Sequence, residues 1–484
     1  MRRLSNGVRV NMARHTHESQ RGQLRIVVPG GRQLEDVLGA GSVGLGTRTM
    51  QEGGAFGGWL REQVELFCID HLIMVTVDAN DEFLYMDLGF PTTTLHAHGG
   101  TGGAPAPAGG QELSGMEAAF QVVHQILTGF VWEEDALRRA QQSYHQHHDQ
   151  TLKSLESSSA EALMQRLSGD DQRFQSVRHE VVDVQTLEGV SQAVTAQLTT
   201  HDMEMSLVGD FELEEAERLV LQYVGTVPPS KRRPEVEAKV EDAPLDLASD
   251  LPRHVHRHLV DSDDRAVGYV AGSAPNRWGV MRGGGSVRDL FDHPADSAAK
   301  ARHEHPLFPN VALALLKEVV NRRLFSVVRE QKRLTYDANM HLTPFERFQG
   351  AWYLISVTAN PDKVDQALTA CQDTLREMRG RLPITPDNVE SAKRVLINRH
   401  EGELRTNAYW CDLLAGLQMD CLPIKDMSCV RDYVQVVNSV TAGDLQQLLR
   451  GLTTDREGMF TCAGVSGQVG KYPQAVGASA APFP

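Results

Sequence analysis

Residues 311–342 read VALALLKEVVNRRLFSVVREQKRLTYDANMHL. Leu313, Leu316, Val320, Leu324 and Val327 recur at helical spacing, which predicts an amphipathic helix with one buried stripe. Tyr336, Ala338, Met340 and Leu342 then alternate with Asp337, Asn339 and His341, the period of a strand. A short polar turn separates the two. Arg329 closes the helix and Tyr336 opens the strand. Together they put a fixed fork of N–H donors and a phenol hydroxyl on neighbouring elements, a pairing suited to holding a peptide carbonyl. The same residues have a plainer reading. An arginine in a last helical turn complements the helix dipole, and a tyrosine at a strand start is ordinary core or rim.

Outward from this stretch, the pattern RLFSVVRE…LTYD resembles the fourth domain of the pitrilysin-type (M16) zinc peptidases. In that family an Arg and a Tyr seven residues apart lean over the scissile bond, and Arg329 and Tyr336 match the pair residue by residue. The likeness covers most of the chain. It is carried by LSNGVRVN (4–11), GTRTMQEGGAFGGWLREQVELFCIDHLI (46–73), KSLESSSAEALMQRLSGDDQRF (153–174), MEMSLVGDFELEEAERLVLQYVGTV (203–227), AGSAPNRWG (271–279) and NAYWCDLLAGLQ (407–418). It implies an α+β fold of two tandem M16-type (LuxS/metallopeptidase-like) domains, each a mainly antiparallel sheet covered by helices.

The 484 residues are comfortable for two domains, and a hydrophobic content of 41% is globular. No run approaches the ~20 apolar residues of a membrane span. Six cysteines show no CxxC and sit mostly among apolar residues, which predicts buried reduced thiols and a reducing compartment. A net charge of -15 argues against nucleic acid and suits a basic partner. Organelle transit peptides, Arg-rich and poor in acids, are such partners.

The chain reads as two halves. Residues 1–228 form one domain and 251–467 the second. Residues 229–250 are charged and Pro-containing, the signature of a linker, and 468–484 read as a disordered tail. The halves echo each other, with Ala140 matching Ala392 and Gly209 matching Gly464. Residues 97–110 and 283–306 read as surface excursions.

The family's zinc site is HxxEH on a helix, with a Glu from a later helix. By register, Gly44, Thr47 and Arg48 stand where His, Glu and His would be. Ala140 and His147 replace the later Glu pair, and the second half has Ala392 and Arg399 there. Several histidine groups look metallic: His15 with His17, His145 with His147 and His148, His254 with His256 and His258, and His303 with His305. His254, His256 and His258 alternate along an expected strand, but none of these groups joins a third ligand at a recognised spacing. Glycine pairs such as Gly44 with Gly46 lack the nucleotide-binding spacing.

The expectation is therefore a chain with no catalytic residue, no metal ligand and no cofactor of its own, and with Arg329 and Tyr336 as substrate-binding residues. It resembles the third and fourth, non-metal domains of an M16 enzyme. The resemblance implies that zinc resides in an HxxEH-bearing half, upstream in the same polypeptide or on a separate chain. It also implies transit-peptide precursors as substrates and the chloroplast stroma as location. No nucleic acid and no membrane are expected as partners. Met1 abuts the first strand, so no transit peptide is visible, which fits a fragment or a truncated gene. The alternative is a stand-alone, non-catalytic M16 subunit that captures presequence-like peptides without cutting them.

Overall fold

The computed structural model describes residues 1–93, 113–169, 171–241, 244, 245, 247, 251–261, 263–291, 297–422 and 427–467. Residues 97–110 and 468–484 lie outside these. In chain order the strands are β1 (Arg2–Arg3), β2 (Arg9–Arg14), β3 (Arg21–Pro29), β4 (Met74–Ala79), β5 (Phe83–Pro91), β6 (Glu204–Gly209), β7 (His254–Val260), β8 (Arg265–Ala274), β9 (Asp337–Leu342), β10 (Ala351–Ala359) and β11 (Phe460–Gly467). The helices that matter here are α1 (Ser42–Glu52), α2 (Gly115–Thr128), α3 (Glu134–Lys153), α4 (Leu155–Ser168), α5 (Leu187–Thr195), α6 (Phe308–Leu324), α7 (Val364–Arg379), α8 (Pro386–Glu403), α9 (Asn407–Leu414) and α10 (Ala442–Leu448).

Two compact units result, and neither is a continuous stretch of chain. The first comprises 1–145, 177–242 and 400–424, and the second 146–176, 243–399 and 425–484. Each thus takes one segment from the other half of the sequence. The stretch 229–250 carries the helix Pro234–Glu241, whose Val236 is buried against Leu34, so part of the expected linker packs on the first unit.

The first unit holds a sheet of order β1-β2-β6-β3-β5-β4. All its neighbours are antiparallel except β2 with β6. Strand β3 alternates Leu24, Ile26 and Val28 toward a core shared with Met116, Phe120 and Val123 of α2. Helix α2 begins where Ser114 Oγ accepts the Glu117 N–H at 3.1 Å, an N-cap that satisfies a first-turn donor. The sheet also buries Val208 against Cys411 and Leu414 of α9. Beside them lies Glu204, 0% exposed. Its carboxylate accepts Asn11 Nδ2 at 2.6 Å and the Gln418 N–H at 3.0 Å, and Gln418 Nε2 donates to Asn11 Oδ1 at 2.8 Å. A buried carboxylate is tolerated only when satisfied in this way.

The second unit holds a sheet of order β7-β11-β8-β10-β9, antiparallel except for β7 with β11. One face packs Val267, Tyr269, Ala271, Phe460 and Cys462 against Leu155, Leu163 and Leu167 of α4. Close approach is bought at Gly464, where a Cβ would lie 2.1 Å from Ser159 Oγ. On α7, Leu368, Cys371 and Leu375 are buried, and a Cβ at Gly268 would meet Leu368 Cδ2 at 2.8 Å. The expected excursion 283–306 is only partly free. Phe291 is buried, and Arg302 and His303 reach Asp444 on α10 at 3.1 and 2.8 Å.

Candidate functional site

Helix α6 does not stop at Leu324. It continues as a π-helix over Phe325–Gln331, a wide turn that often marks functional sites. The Lys332 N–H reaches the Val327 carbonyl and the Leu334 N–H reaches the Val328 carbonyl, both at 3.0 Å, with Arg333 at φ 54 between them. Val328 is buried, so Arg329 points outward. Its guanidinium stacks on the Phe325 ring, 4.7 Å from the centroid, which fixes its plane. Among the described residues it makes no hydrogen bond or ion pair, so its donors are uncommitted.

Tyr336 precedes β9 by one residue, and its N–H pairs with the Thr358 carbonyl at 2.9 Å. Thr335 locks the turn by donating to the Thr358 carbonyl at 2.7 Å and accepting the Asp337 N–H at 3.1 Å. Asn321 pins α6 to the strand, accepting the Met340 N–H at 2.6 Å and donating to its carbonyl at 3.2 Å. The Tyr336 ring is 65% exposed, so it is not a core tyrosine. Its hydroxyl donates to Asn360 Oδ1 at 3.2 Å, a bond it must release to donate to a ligand carbonyl. Both residues are thus exposed and held by rigid neighbours.

Where a zinc motif would stand, α1 is packed as structure. Thr47 is 1% exposed and donates to the Gly44 carbonyl at 3.1 Å, while the Gly44 N–H donates to Glu35 Oε1 at 3.2 Å. A Cβ at Gly46 would lie 2.6 Å from the Val190 carbonyl oxygen of α5. Ala140 is buried with Leu45, Leu137, Val182 and Val190. In the second unit Ala392 is buried and Arg399 pairs with Glu318 at 2.7 Å. Gly44, Gly46, Ala140 and Ala392 offer no side-chain donor to a metal.

The histidine groups part company. His15 is bound to Asn407 and the Leu404 carbonyl, both at 3.0 Å. His145 bonds Asp183 at 2.8 Å and stacks on His179. His254 and His256 behave differently. Their Nε2 atoms are 2.7 Å apart, and Asp365 from the first turn of α7 brings the three sets of ligand atoms within 4.8 Å of one another. The fold brings a third candidate ligand beside this pair. Asp365 is remote in sequence, so no local spacing reveals it. Burial first, and then neighbouring His256, lower the His254 pKa, with Asp365 acting against them.

Cys68, Cys371, Cys411 and Cys462 are free thiols. Burial pushes Cys371, Cys411 and Cys462 up to about 12, which makes them inert at neutral pH. Among the described residues no helix is long and apolar enough to cross a membrane.

A family model described as the peptidase M16 inactive domain matches residues 186–396. With two sheet-and-helix units and no HxxEH motif on α1, the chain is similar to the inactive domains of M16 peptidases. It is 38% identical to the chloroplastic stromal processing peptidase of Oryza sativa subsp. indica, covering 96% of this chain and 37% of that protein. It is 37% identical to the chloroplastic stromal processing peptidase of Arabidopsis thaliana, covering 96% and 36%. The chain therefore spans little more than a third of these relatives. Its fold matches the crystal structure of a peptidase M16 inactive domain from Pseudomonas fluorescens with a TM-score of 0.71 at 17% identity, covering 98% of this chain and 99% of that one.

Proposed function

We propose that this chain is the substrate-holding, non-catalytic half of an M16 zinc endopeptidase that removes transit peptides from imported precursors in the chloroplast stroma. The observation that supports this most is the 36–38% identity to stromal processing peptidases along 96% of the chain, joined to a zinc position filled by Gly44, Thr47 and Arg48. Its acidic charge of -15 draws basic transit segments at long range. Arg329 offers free donors, and the exposed Tyr336 hydroxyl stands ready to meet the scissile carbonyl as negative charge develops on it. A half bearing HxxEH supplies zinc and the general base, and this chain supplies neither.

Titration of a labelled basic transit peptide with the purified chain at rising salt tests the reading. Binding weakens with salt, because screening shortens to ~8 Å near physiological ionic strength, and the chain alone cuts nothing. Equal affinity at low and high salt, or preference for an acidic peptide, refutes the charge-steered capture. Capture without cutting that persists after an HxxEH half is supplied favours the stand-alone binding subunit instead.

A further inference from the structure

We propose that His254, His256 and Asp365 form a site for one divalent transition-metal ion, zinc by its donor chemistry, outside the place where the family's zinc motif stands. The argument begins with the strand. β7 is the edge of its sheet, and residues two apart share a face, so His254 and His256 project side by side. β11 lies next to it in parallel register, with Thr461 opposite His254. Thr461 Oγ1 sits 2.5 Å from His254 Nδ1. That bond holds the ring and, with Nδ1–H donating to the hydroxyl, leaves a lone pair on Nε2 facing outward. An outer partner of this kind sets the tautomer and aim of a ligating imidazole.

Asp365 arrives on the same side from the first turn of α7, adding an anionic oxygen. Two imidazoles and a carboxylate select zinc, cobalt, nickel or copper over calcium or magnesium, which prefer all-oxygen shells. Three protein ligands leave a fourth position for water. The present 2.7 Å between the Nε2 atoms is a hydrogen bond in which one proton stands where the metal would go. With Zn–N near ~2.0–2.1 Å, tetrahedral binding separates the two nitrogens to about 3.3 Å, an opening that small χ rotations of surface side chains supply. Bound metal would staple the edge strand to the start of α7. This inference does not depend on the proposed peptide capture.

The test uses the whole chain, stripped with chelator and dialysed, then titrated with Zn²⁺ by calorimetry and with Co²⁺ by visible absorption. The expected result is one ion per chain, with the intense d–d bands of four-coordinate cobalt. His256→Ala and Asp365→Asn should each weaken binding about tenfold or more, the scale seen even for outer-shell losses. His258→Ala, on the same face but outside the cluster, should bind like the parent. Zinc at a hundredfold excess over the parent's dissociation constant should raise the parent's Tm by roughly 3–5 °C and that of Asp365→Asn by no more than about half as much. The metal-free variants should melt with the parent, because these side chains lie at the surface, so lost binding is not lost folding. Unchanged affinity in His256→Ala and Asp365→Asn, or cobalt bands of six-coordinate type only, overturns the site.

Discussion

Tyr336 separates a ligand-facing role from a packing role more cleanly than any other residue. The ring is 65% exposed and its hydroxyl bonds only Asn360 among the described residues. Tyr336→Phe in a chain rejoined to an HxxEH half should lower kcat roughly a hundredfold, the ~3 kcal/mol of one lost donor to a developing oxyanion. KM and Tm should hardly change. Cleavage at the parental rate would leave Tyr336 as rim and nothing more. Gly464 makes the opposite kind of demand. Gly464→Ala forces a methyl to within 2.1 Å of Ser159 Oγ in a closed layer, and overpacking of this sort costs about 1–3 kcal/mol. Gly402→Ala is the matched control, since a Cβ there meets nothing and helix propensity improves by up to about 1 kcal/mol. Urea midpoints should move in opposite directions for the two.

Local elements show how far sequence reasoning carries. The helix at residues 311–324 and the strand beside Tyr336 rest on short-range periodicity, and both appear where expected. The outward setting of Arg329 is also consistent with the reading, though its π-helical turn has no periodic signature. What was illegible depends on distant residues: Asp365 beside His254, Gln418 completing the Glu204 network, and Arg302 and His303 anchoring on Asp444. That last contact gives α10 a pH dependence. Burial opposes ionisation of Asp444, but hydrogen bonds from His303 and Thr441 and the charge of Arg302 outweigh it and hold the carboxyl below its usual range. A depressed carboxylate contributes stability that is present above its unfolded value near ~3.9 and is lost as pH falls through the lower folded value. Asp444→Asn should therefore be destabilised relative to the parent at pH 7, with the gap in urea midpoint shrinking below about pH 4. A gap that is constant across pH would show that the loss is one of shape and not of charge.

At the scale of the whole molecule, the division of the chain matters more than the boundary read near residue 229. Residues 400–424 close the first unit by covering Val208, Val27 and the Asn11–Glu204 pair, and 146–176 close the second over Tyr269 and Cys462. Residues 1–228 expressed alone would expose that apolar surface and leave Glu204 without the Gln418 N–H. They should show no cooperative urea transition and should bind a hydrophobic dye, whereas the full chain unfolds cooperatively. A sharp transition in the fragment at the full-chain midpoint would show that the donated segment is dispensable.

The same donated segment sets a clock during synthesis. The ribosome finishes β6 about 200 residues before it delivers α9, and at 5–20 residues per second that gap lasts roughly 10–40 s. Throughout it, the nascent first unit carries a half-covered sheet and a Glu204 carboxylate that lacks the Gln418 N–H. Ribosome-bound chaperones would find their longest opportunity on this polypeptide there, and a stall between residues 210 and 400 would be the most damaging place for translation to pause.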